Sequence, residues 1–201
     1  RTPKVSTALA LTALIGAGAL TGCTQQSTAE SCVSQFSSGA LSKNIQVLGT
    51  FGTEPTVSIA DGFTFGPAQA TTIERAEDRT NAITGPSIVS INYMIVEAGT
   101  NDVLASSASF ANGVGNDVIA VSPGLDQSVF PGGLECAAPG DRVVLTLSAE
   151  EAAQIAGPQT DADTQTAFAI LVDVHDVQPV KVEGNVQTLP AGFPGVITDA
   201  T

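Results

Sequence analysis

Tryptophan is absent from the 201 residues, and Phe and Tyr together bring the aromatic share to only 4%. A core built on large rings is therefore excluded, and packing falls to Val, Ile, Leu and Ala within a hydrophobic fraction of 43%. Charge is scarce too, at 13% of residues, with seven basic against twenty acidic side chains and a net charge of −13. The few Lys and Arg are scattered. Such a surface repels phosphate, so nucleic-acid binding, which draws on clustered cations displacing counterions, is excluded. Histidine occurs once, at His175, and no HExxH, GxSxG or CxxC pattern is present, so zinc and hydrolase chemistry lack their ligands and nucleophile. His175 and Asp173 form an incomplete couple, read as solvated side chains on the outward face of a strand. Gly113-Val114-Gly115 lacks the lysine and following helix of a phosphate loop. No metal and no cofactor is implied.

What is present suits a packed β-rich unit. Low charge and abundant aliphatic residues argue against disorder. The β-branched residues, with 20 Gly and 11 Pro, point to strands joined by turns. The length fits one folded domain with flanking segments.

The flank at the start has an export pattern. Arg1 and Lys4 precede an apolar run from Val5 to Leu20, followed by Leu20-Thr21-Gly22-Cys23. A basic start, a short apolar run and small residues before a cut are the parts of a secretory leader. The run is nearer to a leader core than to the roughly 20 residues that span a bilayer, the retained helix being the alternative. Leu-Thr-Gly-Cys resembles a bacterial lipobox. That resemblance implies cleavage before Cys23, diacylglycerol on its thiol, and anchoring to the extracytoplasmic face of the cell membrane, since two acyl chains hold durably. The expected organisation is a signal peptide over 1–22, lipidated Cys23 and a tether over 23–43, and a domain over 44–178. The small polar stretch Thr24 to Ser31 reads as flexible.

Cys23, Cys32 and Cys136 are the only cysteines. With Cys23 lipidated, Cys32 and Cys136 remain as a disulfide pair in an oxidising compartment, or as two separately buried thiols.

Alternating apolar runs bounded by turn residues predict strands at Ile45–Leu48, Val57–Ile59, Thr71–Arg75, Ser87–Val96, Val103–Phe110, Val118–Val121, Arg142–Leu147 and Phe168–Val177. Gly99-Thr100-Asn101-Asp102 should turn Ser87–Val96 into Val103–Phe110. Pro123–Leu134 reads as looped or weakly helical. Ser148 should cap a short helix through Ile155, with Glu150 and Glu151 near its positive end. In the last strand Phe168, Ile170, Val172 and Val174 share one face. Residues 179–201 read as a linker and either the start of a second copy or a coincidence of turn and strand composition: Gly192 to Ala200 echoes Phe51 to Asp61 in its aromatic, proline, β-branched and Asp order.

Three segments together carry a family resemblance. Ile88-Val89-Ser90-Ile91-Asn92-Tyr93, Pro139-Gly140-Asp141-Arg142 running on to Ser148, and Leu171-Val172-Asp173-Val174 resemble consecutive parts of the FKBP-type peptidyl-prolyl isomerases, particularly their actinobacterial lipoprotein forms. The resemblance implies an α+β fold, a twisted antiparallel sheet wrapped around a short helix. It implies prolyl isomerisation of exported polypeptides, with proline-containing chains as partners. For the pocket it implies Tyr93, Phe130 as floor, Val172 as wall, and Leu104 and Ile119 at positions where aromatics are common. Ala105 stands in place of a pocket aspartate, Ala153 in place of a tyrosine, and Val129 in place of a glycine. A non-catalytic FKBP-like chaperone or binding module is the alternative, and a β-sandwich adhesion domain is a third reading.

Overall fold

A strand that alternates apolar and polar residues needs cover on one face, whereas a continuously apolar one needs cover on both. The computed structural model describes residues 32–112, 115–125, 128–156 and 166–180. Its elements run α1 (Ala40–Asn44), β1 (Gln46–Leu48), β2 (Thr56–Ser58), β3 (Gln69–Glu74), β4 (Ser87–Glu97), β5 (Val103–Ser106), α2 (Ala108–Asn112), β6 (Asp117–Val121), α3 (Val129–Gly132), β7 (Arg142–Leu147), α4 (Ala149–Ala156) and β8 (Phe168–Pro179). The fold is α+β with an antiparallel sheet and short helices. Six strands pair in the order β3-β7-β8-β4-β5, with β6 also on β4. The segments that carry the family resemblance are thus the neighbouring strands β4, β8 and β7.

Every residue of β7 is buried, so the sheet is covered twice. On one face Val89, Ile91, Val143, Leu145, Leu147, Ile170, Val172 and Val174 pack with Val129 of α3 and Ala152 of α4. On the other, Ile45, Val57 and Ile59 of the β1–β2 hairpin region cover Met94, Val96, Val144, Ala169 and Leu171. One six-stranded sheet with α3 and α4 on one face and a short hairpin with α2 on the other is not two facing sheets, which removes the sandwich reading. Asn101, at φ 60°, bonds the hairpin region to the β4–β5 turn: its amide accepts from the Ile59 N–H at 2.6 Å and donates back to the Ile59 carbonyl.

Three expectations are corrected. Val103 to Phe110 is not one strand, because β5 ends at Ser106 and α2 begins at Ala108. There the Ser107 hydroxyl accepts the Tyr93 N–H at 2.8 Å and the Ser109 hydroxyl donates to Asn92 Oδ1 at 2.6 Å. Side chains thereby take over where the ladder stops, a local competition that favours leaving the strand. Asp173 and His175 do not stand in open solvent either, Asp173 being buried and His175 half-buried. Asp173 is fully buried under the hairpin side, and His175 lies against Phe51 with ring centroids 4.9 Å apart. The β4–β8 register slips between Ser90 and Ile91, which leaves His175 as the extra residue of a bulge and keeps Val177 on the same face as Val174. Finally, part of the expected tether lies on the fold. Leu41 and Ser42 are buried, Ala70 N–H reaches the Ser37 carbonyl, and Cys32 is bonded to Cys136.

Ser148 does cap α4. Its hydroxyl accepts the Glu151 N–H while the Glu151 carboxylate accepts the Ser148 N–H at 2.9 Å, a reciprocal capping box. The leader, Cys23 and the repeat near Gly192 lie outside the described residues, as do Gly113 and Val114. Among the described residues no helix is long and apolar enough to cross a membrane.

Candidate functional site

Tyr93 sits where β4 has lost its outer neighbour. β5 pairs Met94 to Val96 and β6 pairs Ser87 to Ile91, so Asn92 and Tyr93 face a gap between them. Ser107 closes it: its N–H donates to the Tyr93 carbonyl and its hydroxyl accepts the Tyr93 N–H, both at 2.8 Å. With both backbone groups satisfied, the ring is held on the helix face.

Phe130 comes to that ring from α3. Gly133 lets this short helix lie on the sheet, since a Cβ there would stand 2.4 Å from Leu145 and 2.8 Å from the Val129 carbonyl. The segment is braced by Glu135, a buried carboxylate that accepts the N–H groups of Gln35 and Gly124 at 2.8 and 2.7 Å. Tyr93 and Phe130 then meet edge to face, with centroids 5.8 Å apart and planes at 66°. Both rings are partly exposed.

Val172 is the cross-strand partner of Tyr93 and is fully buried. Ile119 lies opposite Val89 and packs against the same core. The structure therefore brings Tyr93, Phe130, Val172 and Ile119 to one face. It does not bring Leu104 there: this residue falls in the irregularity of the β4–β5 register and is 53% exposed. Ala105 is registered against Ile95 on the aromatic face, and Ala153 is half-buried on α4.

The polar groups of this face escaped sequence reasoning. Ser107 is buried and its hydroxyl donates to Asp117 Oδ2 at 2.5 Å. Asp117 is exposed and registered against Ile91, so it projects to the side that carries Tyr93. Neither residue belongs to a motif, and only three-dimensional pairing identifies them.

A cavity of about 260 Å³ lies elsewhere, lined by Cys32, Arg75, Arg79, Glu135 and Cys136 among others. Arg79 there is committed to Asp141 at 2.9 Å, and its Nε is buried without a partner among the described residues. No group of three His, Cys, Asp or Glu residues able to hold a metal ion occurs among the described residues.

No protein-family model matches the chain. No curated protein matches it either. Among solved structures it is similar to FkpA from Escherichia coli, with a TM-score of 0.41 and 16% identity over 57% of this chain. That alignment spans 49% of the FkpA chain, about half its length. It is also similar to the N-terminal domain of FKBP42 from Arabidopsis thaliana, with a TM-score of 0.41 and 10% identity, covering 63% of this chain and 99% of that one.

Proposed function

We propose that this chain is an FKBP-type peptidyl-prolyl isomerase that works on exported polypeptides from a lipid anchor at Cys23, on the extracytoplasmic face of the cell membrane. The observation that carries the reading is the edge-to-face pair of Tyr93 and Phe130, partly exposed beside Ile119 and over the buried Val172. Rotation about an X-Pro bond meets a barrier of about 18 to 20 kcal/mol that arises from amide resonance. An apolar surface that takes the proline ring and its imide out of water favours the twisted, less dipolar geometry. It needs no nucleophile, metal or cofactor to do so. The leader pattern and the Leu-Thr-Gly-Cys sequence support export and lipidation.

A proline-peptide isomerisation assay tests the activity. The chain should accelerate cis-to-trans conversion, and a Phe130→Ala variant that stays folded should lose most of the acceleration; rates equal to buffer remove the claim. Anchoring is tested by fractionation: Cys23→Ala should move the protein from the membrane fraction to the soluble one.

A second reading, a non-catalytic binding module, is favoured by Ala105 and Ala153, which offer no hydrogen bond to a substrate carbonyl. Under it, the native chain binds proline peptides without turning them over, and Ala105→Asp with Ala153→Tyr creates turnover.

A further inference from the structure

The aromatic face carries, in Asp117, a charged group placed to meet a substrate. Asp117 stands opposite Ile91 in the β4–β6 register, diagonal to Tyr93 on the same face, a separation of roughly 7 to 8 Å between the two Cα atoms. Its carboxylate is oriented by the Ser107 hydroxyl, the same atom that accepts the Tyr93 N–H. One buried serine therefore fixes both the ring and the carboxylate. Ile119 follows two residues along β6 on the same side, so Asp117 borders the apolar surface.

Among the described residues no cation is paired with it. Among the described residues Arg142 and Arg79 are committed to Asp173 and Asp141, which leaves Lys43 and Arg75 as the exposed basic side chains. Glu54, Asp61, Glu77, Asp102 and Glu150 are exposed as well, so the field around the domain is negative. A carboxylate that is exposed, held in one orientation and without an ion-pair partner among the described residues supplies a ready contact for a positive group arriving from outside.

We infer that Asp117 is a specificity-determining residue that selects proline-containing polypeptides with Lys or Arg beside the proline. The inference rests on the isomerase reading of the same surface and adds a substrate class to it. Selection comes from two opposite effects: a cation gains a contact with Asp117, and an anion at that place meets repulsion from Asp117 and from the surface as a whole.

The experiment uses the full chain and two otherwise identical peptides, one with Lys and one with Glu before proline. Isomerisation and, separately, peptide binding by fluorescence anisotropy are measured at low and high salt. The Lys peptide should be favoured about tenfold at low salt, with the preference shrinking at high salt. Asp117→Asn keeps an acceptor for Ser107 and should cut the preference to about threefold; Glu77→Gln, which removes an equal charge at Glu77, should leave it nearly intact. Equal handling of the two peptides, or a preference that Asp117→Asn leaves unchanged, overturns the inference while turnover keeps the isomerase. Binding that favours Lys and depends on Asp117, with no turnover of either peptide, keeps the charge selection and overturns the isomerase. Failure to bind or turn over either peptide overturns both.

Discussion

At Arg142 each N–H of a fully buried guanidinium has an acceptor. Nε and Nη2 donate to the two Asp173 oxygens at 2.6 and 2.8 Å, while Nη1 and Nη2 also reach the Gly49 and Thr50 carbonyls and Nη1 reaches Glu74. Asp173 in turn accepts the Gly52 N–H at 2.7 Å. Hydrogen bonding to Asp173 raises the Arg142 pKa against the opposing effect of burial. Removing one partner of such a pair leaves an uncompensated buried charge. Asp173→Ala should therefore cost about 3 to 5 kcal/mol in urea unfolding. A loss below about 1 kcal/mol would mean that water reaches the guanidinium after all. The same loop places Phe51 on His175, and this residue has its own pH signature. Burial lowers the His175 pKa from 6.5, with Asp173 opposing the shift. The unfolded chain then binds the proton more readily than the folded one, so stability is fully present above about pH 6.5 and falls as pH drops through and below that value. His175→Gln should flatten the decline between about pH 6.5 and 5, measured as urea midpoints. Asp78 and Glu97, lowered by hydrogen bonds to Thr80 and Thr166, act at lower pH, where their contribution is present above the ordinary carboxylate range and lost below it.

At the scale of elements, the packing of α3 decides whether Phe130 can meet Tyr93. Gly133 has an ordinary helical φ of −69°, so its requirement is space and not backbone freedom. A methyl group there would press on Leu145 and on the Val129 carbonyl. Gly133→Ala should destabilise by about 1 to 3 kcal/mol and lower peptide binding, read by thermal unfolding and by titration. Unchanged stability would show that Leu145 has room to give way. The strands β4, β7 and β8 were legible in the sequence because their apolar residues alternate or run continuously between clear turn residues. Ser148 with Glu151 was legible for the same reason, being a local signal. α2 was not, since Val103 to Phe110 alternates acceptably as a strand and only the hydroxyls of Ser107 and Ser109, meeting Tyr93 and Asn92 across the chain, end it early. The second covered face was hidden as well. An apolar run such as Val143 to Leu145 signals burial without saying what lies on each side, so Asp173 read as an outward, solvated residue and its pairing with Arg142 was not anticipated. Tyr93 and Phe130 came to notice through the family resemblance, while Ser107 and Asp117 needed the fold to bring them together.

For the molecule as a whole, the distribution of cross-links sets how firmly the start of the domain is held. Leu41 and Phe36 already pack onto the core, and the start of the domain is further tied across the fold: Cys32 joins Cys136 over a separation of 104 residues. That bond is flanked by two noncovalent ties, Gln35 N–H to Glu135 and Ser42 with Thr71 at 2.7 Å. Because the loop is long, the cross-link removes much of the freedom of the unfolded chain, about 4 to 5 kcal/mol in the chain-entropy account. Domains of this kind hold together by about 5 to 15 kcal/mol, so the bond is a large share of the margin. Cys32→Ser with Cys136→Ser should lower the unfolding free energy by about 4 kcal/mol, and adding reductant to the native protein should lower it by a similar amount. The double variant should be indifferent to reductant. Since the bond acts on the unfolded chain, the helix face should keep its geometry, and the variant should bind proline peptides normally at a temperature where it is folded. Loss of binding in that folded variant would instead show that the segment from Cys32 to Ser42 shapes the face through Glu135 and α3, and that the cross-link contributes to the site as well as to stability.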